Sequence, residues 1–396
     1  MFRDINAITF KIGTFCNLNC EYCFQKYDVK ADSHTFEIAN TLLKFLRNPK
    51  LSLDNRLEFK ITGGEPMLYK DKIREVWKIL KKIERYRDTK IRFTTITNGS
   101  RMGDFIDLID EGIFDPYGCK ISWDGIHSAS KSRKPKNEKY NDGFFSSKID
   151  ELGKSKYAKD VLVRIALTPN TIEDLFESFK YAYSVGCRKL EYYYLTDCEA
   201  YKDKEFQKKF KYQIEKIARF KVTNDFLWTN WETIEAMEIL DSKDRFRAIA
   251  CRHLGKFLYI EQNGDIAPCG FFSADSVFEN TTFYIGNIYR GFYKNKVEEF
   301  IDKYFNIPMC YNKECSSYQC FECPATNMYR TGHMQNKLFQ TCSLRSIEKS
   351  VFYIFKDSMT LGVKRTKKTY DYFNTWKIEK SIPDLPYCKK ENGINE

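Results

Sequence analysis

Three closely spaced cysteines, Cys16, Cys20 and Cys23, follow directly on a β-branched and aromatic run, Ala7–Ile12, and constrain this chain more than any other feature. The run reads as a first strand, so the three thiols are presented together on the loop at its end. The N-terminal Met1-Phe2-Arg3-Asp4-Ile5-Asn6 has no charged segment leading into an apolar one, and a cytoplasmic protein is expected. No apolar run approaches the ~20 residues of a membrane span. Fourteen cysteines in a reducing compartment are not a disulfide framework, so metal or cluster ligation is the leading explanation. A Cx3Cx2C spacing lacks the paired CxxC of structural zinc sites. It suits three thiolates on a [4Fe–4S] cluster, with one iron left open for a small chelating molecule.

The rest of the first 220 residues alternates short strand-like runs with helical patterns, the signature of βαβ units and a parallel sheet. Strands are expected at Ala7–Ile12, Leu57–Thr62, Ile91–Thr97, Lys120–Trp123, Val161–Leu167 and Leu190–Leu195. Helices are expected near Thr35–Leu46, Asp71–Arg85, Asp104–Glu111, Ser146–Gly153, Glu173–Ser184 and Lys202–Phe220, the last with Phe206, Phe210, Ile214 and Ile217 on one face. Six such units make a partial (β/α)6 barrel, an α/β fold whose ligands sit at the carboxyl ends of the strands. From about residue 225 to 345 cysteines and aromatics dominate, as in a domain nucleated by bound metal. The expected division is therefore 1–224, 225–345 and 346–396, the last with a helical pattern over Ser343–Phe355 and a Lys-rich tail. The formal charge is +11, but lysines alternate with acidic residues as on solvated helix faces, and no basic block with interleaved aromatics marks a nucleic-acid path.

Together with Cys16-Asn-Leu-Asn-Cys20-Glu-Tyr-Cys23-Phe24, the second strand ends in Thr62-Gly63-Gly64-Glu65-Pro66, and over these residues the chain resembles the radical S-adenosylmethionine (SAM) superfamily. The resemblance implies a cluster on Cys16, Cys20 and Cys23 and a SAM pocket. Gly63, Gly64, Glu65 and Pro66 would receive the methionyl amino group, with glycine allowing close backbone approach and Glu65 accepting from the ammonium. It extends to Thr97-Asn98-Gly99 and Ser122-Trp123-Asp124-Gly125, which place Asn98, Ser122 and Asp124 against ribose and carboxylate. Arg164 is expected on that carboxylate, Leu195 against adenine, and Tyr22 and Phe24 on the adenine side.

A second set of cysteines, Cys251-x12-Gly264-x4-Cys269 followed by Cys310, Cys315, Cys320, Cys323 and Cys342, resembles the SPASM extension of peptide-modifying radical SAM enzymes. Its middle quartet is spaced Cx4Cx4Cx2C where that family has Cx2Cx5Cx3C. Carried over by order, Cys310, Cys315, Cys320 and Cys342 enclose one auxiliary [4Fe–4S] cluster, and Cys251, Cys269 and Cys323 hold another. The latter then has an open iron, which binds a substrate thiolate or is capped by Cys198. Cys119 and Cys187 read as small buried hydrophobes.

The resemblance implies reductive cleavage of SAM to a 5′-deoxyadenosyl radical, hydrogen abstraction from a peptide or protein substrate, and an external one-electron donor such as flavodoxin or ferredoxin. Sulfatase-maturating relatives carry a catalytic Asp directly after the second cysteine of the first pair, and here that residue is Gly270. Oxidative cross-linking of a ribosomal precursor peptide, through a thioether or carbon–carbon bond, is thus expected over formylglycine formation, for which Asp265 or Asp275 would have to substitute. A small-molecule substrate and a non-catalytic iron–sulfur scaffold or electron carrier are the remaining readings.

Overall fold

The computed structural model describes residues 4–25, 34–195, 197–239, 256–274, 276–278, 280–305, 323–335 and 341–362. Its first part alternates β1 (Ile5–Gly13), α1 (Thr35–Leu46), β2 (Leu53–Gly63), α2 (Lys70–Lys81), β3 (Lys90–Thr97) and α3 (Met102–Asp110). It continues through β4 (Lys120–Ser122), α4 (Ala129–Arg133), α5 (Asp142–Lys154), β5 (Leu162–Leu167), α6 (Leu175–Ser184), β6 (Lys189–Tyr194), α7 (Lys204–Thr223), β7 (Leu227–Trp228) and α8 (Thr229–Ile239). The later part holds β8 (Phe257–Ile260), β9 (Asp265–Ala267), β10 (Gly286–Asn287), β11 (Gly291–Phe292), α9 (Lys294–Phe305), α10 (Pro324–Thr331) and α11 (Cys342–Gly362).

The strands form one sheet in the order β11-β10-β9-β8-β1-β2-β3-β4-β5-β6-β7. Neighbours from β8 through β1 to β7 are parallel, and β8 to β11 turn back on each other antiparallel. The parallel strands force crossovers, and the helices supply them. Ile38, Leu42 and Leu46, one turn apart on α1, and the alternate residues Ile8, Phe10 and Ile12 of β1 are buried in one hydrophobic core. This is the α/β architecture read from the sequence, with six strand–helix units in the expected places.

One helix is shorter than that reading: the helix expected over Asp71–Arg85 is α-helical only to Lys81 and ends in a 3-10 turn, Lys82–Arg85. In the later part of the chain Phe257–Ile260 pairs with β1 in the register Ala7↔Phe257 to Phe10↔Ile260. The C-terminal helix runs from Cys342 to Gly362 and lies on α7 and α8. There Phe352 packs on Trp231 at 4.6 Å and Glu348 takes a 2.5 Å hydrogen bond from the Tyr192 hydroxyl of β6. Among the described residues no helix is long and apolar enough to cross a membrane.

Candidate functional site

The carboxyl end of β1 runs straight into the cysteine loop, which rests on the turn after β2. Gly64 N–H donates to the Gly13 carbonyl (3.1 Å) and Glu65 N–H to that of Phe15 (2.9 Å). A Cβ on Gly64 would lie 2.1 Å from the Phe15 oxygen, and one on Gly63 2.3 Å from the Gly13 oxygen. The glycine pair is therefore required by the approach of the cysteine loop itself. Pro66 opens the 3-10 turn Pro66–Tyr69, and Glu65 caps it by accepting from Met67 N–H at 3.0 Å.

Glu65 is buried. Its Oε1 also accepts from the Thr97 hydroxyl (2.5 Å), and its Oε2 accepts from Asn98 N–H (2.7 Å), leaving Oε2 with capacity for one more donor. Burial pushes this carboxyl above its ordinary value, against the pull of those hydrogen bonds. The Asn98 side chain donates to Asn17 of the cysteine loop (2.9 Å) and accepts from Ser100 N–H (2.9 Å).

Under the cysteines lies a charged group that sequence reasoning did not single out. Arg133, the last residue of α4, is 2% exposed and sets its Nε 3.2 Å from Oδ2 of the fully buried Asp124. Asp124 also accepts from the Tyr22 hydroxyl through Oδ2 and from Ala166 N–H through Oδ1 at 2.9 Å. All these partners come from the protein, and the left-handed backbone of Asp124 (φ 69°) places the carboxylate among them. Lys-Ser-Arg-Lys-Pro-Lys reads as an exposed basic run; only the tertiary fold distinguishes Arg133 from its neighbours.

Burial pushes the Cys16 thiol up to about 11, with Glu65 adding to it, and the Cys20 thiol up to about 12, where Arg133 pulls it back. Such thiols become ligands beside a cation, and a metal deprotonates a coordinating thiol outright, so the donor set fits an iron–sulfur cluster. Among the described residues no three His, Cys, Asp or Glu side chains converge on a single metal ion. Thiolates holding separate irons of one cluster stand further apart than that.

Arg164 has a partner of its own, with Nε 2.9 Å from Glu191 Oε1 and its guanidinium 3.9 Å from the centre of the Tyr193 ring. Ser122 is paired in register with Arg164 on β5. Leu195 N–H donates to the Tyr201 hydroxyl at 2.8 Å. Phe24 turns to the later part of the chain: its ring lies 4.6 Å from that of Phe271, and its carbonyl accepts from Val277 N–H at 2.7 Å. Phe271 stacks on Phe278 (5.2 Å), and Phe278 on Tyr329 of α10 (4.9 Å).

Of the second cysteine set, Cys269 is buried at the turn after β9, Cys323 directly precedes α10, and Cys342 begins α11. Cys251, Cys310, Cys315, Cys320 and Asp275 lie outside the described residues. Cys198 is half-buried beside Asp197, which forms a two-point ion pair with Arg330 of α10 (2.6 and 3.1 Å). Asp265 is engaged through both oxygens, with Asn263 (2.7 Å) and Asn287 (2.8 Å).

A parallel α/β sheet with three cysteines after its first strand and a glycine-rich turn after its second is the arrangement expected of a radical SAM domain. Residues 10–122 match the family model described as the radical SAM superfamily, which implies SAM and a [4Fe–4S] cluster. An uncharacterized protein of Methanocaldococcus jannaschii is 27% identical over 106 residues, 27% of this chain and 35% of that one. In fold, the chain is similar to anSMEcpe solved with AdoMet and the Cp18Cys peptide (TM-score 0.65, 18% identity, 90% of this chain and 99% of that one). It is also similar to Streptococcus suis SuiB bound to the precursor peptide SuiA (TM-score 0.55, 12% identity, 86% and 76%).

Proposed function

We propose that this chain is a radical SAM peptide maturase that abstracts hydrogen from a residue of a precursor peptide and closes an oxidative intramolecular cross-link, a thioether or carbon–carbon bond. The observation that carries this choice is Gly270. A Cβ there would meet Cε2 of Tyr259 at 3.0 Å and Cε2 of Phe24 at 3.1 Å. The position where sulfatase-maturating relatives carry an acid is thus walled by two rings, and Asp265 at the start of β9 is held through both oxygens by Asn263 and Asn287. Two solved proteins of this fold hold peptides, which supports a peptide substrate.

When bound, the cluster and SAM supply a one-electron reductant and a hydrogen-abstracting radical; the protein supplies positioning and exclusion of water. Cys16, Cys20 and Cys23 would hold the cluster, and the remaining capacity of Glu65 Oε2 suits the methionyl ammonium. The buried Arg133 supports thiolate charge at Cys20. Cys310, Cys315, Cys320 and Cys342, and Cys251, Cys269 and Cys323, would hold two auxiliary clusters, which would supply a route for the second electron of an oxidative product.

Anaerobic reconstitution with dithionite and SAM should yield 5′-deoxyadenosine. Co-expression with its precursor peptide should give a product lighter by about two hydrogens per modification. Formylglycine in a Cys-containing sulfatase peptide, or an unchanged precursor, would overturn the cross-linking reading. Gly270→Asp should gain no formylglycine activity and should lower stability by about 1–3 kcal/mol, as overpacking does.

A further inference from the structure

We propose that the face formed by Phe15, Lys131, Lys134 and Lys136 is the docking site of an acidic one-electron carrier protein. The proposal rests on the radical SAM reading, because it concerns how the first cluster is reduced. Transfer weakens steeply with distance, so a protein donor must reach the cysteine loop where the covering chain is thin. On the Phe24 side the loop is covered by the packed rings of Phe271 and Phe278. On the other side, among the described residues, the loop itself reaches solvent at Phe15, Asn19 and Glu21, with one strand of backbone paired along it. Residues 132–136 run antiparallel to residues 17–21 through a Leu18↔Pro135 bridge. Asn19 N–H donates to the carbonyls of Arg133 (3.1 Å) and Lys134 (3.0 Å), Glu21 N–H to that of Ser132 (3.2 Å), and Lys136 N–H to that of Asn17 (3.3 Å).

The outer surface of this strip is basic with an apolar centre. Ser132 and Arg133 are buried, while Lys131, Lys134 and Lys136 point outward as exposed side chains. Phe15, directly before Cys16, leaves 44% of its surface in solvent, with Lys136 Nζ 5.3 Å from its ring centre. The nearby acids are largely occupied: Glu21 pairs with Lys134 at 2.6 Å, and Asp142 accepts from Ser130 N–H at 2.6 Å, leaving Glu138 exposed between Lys136 and Lys139. An exposed ring among lysines favours a partner with an acidic rim and an apolar spot over its redox group, the surface of a small flavin or iron–sulfur carrier. In the step itself the carrier loses one electron and the oxidised cluster gains one; no bond is made or broken.

The test uses the reconstituted holoenzyme and the double variant Lys131→Glu/Lys136→Glu, with an acidic flavodoxin hydroquinone and photoreduced deazaflavin, a small reductant, as probes. Cluster reduction is followed by stopped-flow absorbance and electron paramagnetic resonance, and flavodoxin binding by calorimetry. The variant should be reduced by flavodoxin at least about tenfold more slowly, bind it more weakly, and respond to deazaflavin as the parent does. The parent's flavodoxin rate should fall steeply with added salt. Equal flavodoxin rates would overturn the proposal, as would equal slowing with both reductants, which would place the lysines in support of the cluster. A parent that assembles no reducible cluster would overturn the radical SAM reading itself, a failure distinguishable from either.

Discussion

Replacing Arg133 with Met should cost this protein about 3 kcal/mol, and the reasoning can be followed atom by atom. The Nε of Arg133 and Oδ2 of Asp124 are 3.2 Å apart, 2% and 0% exposed. Unit charges at that separation attract by about 5 kcal/mol at an effective dielectric of about 20. Losing one partner of a buried pair generally costs about 3–5 kcal/mol, because the other charge stays in place without compensation. Asp124 retains the Tyr22 hydroxyl and the Ala166 N–H, which places the expected loss at the low end. Asp124→Asn keeps the shape and removes the charge: its Oδ1 still accepts from Ala166 N–H, while its Nδ2 can only donate to the Tyr22 oxygen. The double variant should therefore recover at least about 1 kcal/mol relative to the sum of the singles. Urea unfolding of the four proteins, followed by tryptophan fluorescence, measures the cycle, and iron per chain after reconstitution reports whether Cys20 still takes its metal. A loss below about 1 kcal/mol for Arg133→Met, or additive singles, would refute the account of this pair as the support beneath the cysteine loop.

Gly64→Ala puts a methyl 2.1 Å from the Phe15 oxygen and should cost about 2–3 kcal/mol with loss of cluster content. Gly112→Ala, at φ 71° with nothing within 4 Å, should cost only the left-handed strain of about 1 kcal/mol; the two melting curves make the comparison. Tyr192→Phe removes the donor 2.5 Å from buried Glu348 and should cost about 1–3 kcal/mol, with α11 showing faster amide exchange. Burial pushes the Lys189 ammonium down to about 8, against Asp160 and Asp115. Above that pH the folded chain has released a proton that the unfolded chain keeps to about 10.5. Stability from this group therefore rises with pH across that window, and Lys189→Met should flatten the rise in a pH series of denaturation midpoints.

The barrel was legible because its signals are local. Ile38, Leu42 and Leu46 recur at helical spacing, and α1 spans the expected Thr35–Leu46. The glycine pair was legible as a site of close approach, but not what approaches: the crowding atoms belong to residues 13–15, some fifty positions earlier. Arg133 was hidden for the opposite reason. Its neighbours Lys131 and Lys134 are exposed, while Ser132 and Arg133 of the same polar helix turn inward, Arg133 onto Asp124. Arg164 reads as available in sequence, and its pairing with Glu191 depends on β5 and β6 being in register, Arg164↔Glu191. Four residues as short as Phe257–Ile260 carry no sign of which edge they join.

That edge matters to the site. β8 lies against β1, which carries the cysteine loop at its end, and Tyr259 of β8 stands opposite Thr9. The Tyr259 ring then helps fill the space over Gly270, while Phe24, one residue past Cys23, closes it from the loop side. The same Phe24 begins the stack through Phe271 and Phe278 to Tyr329, on the helix that starts at Cys323. The cysteine loop and the two later cysteines Cys269 and Cys323 are thus tied by one strand pairing and one chain of rings. A change at Gly270 would be felt at Cys23 as well as at β8, because one of the two rings it displaces, that of Phe24, belongs to the loop that carries the cluster ligands.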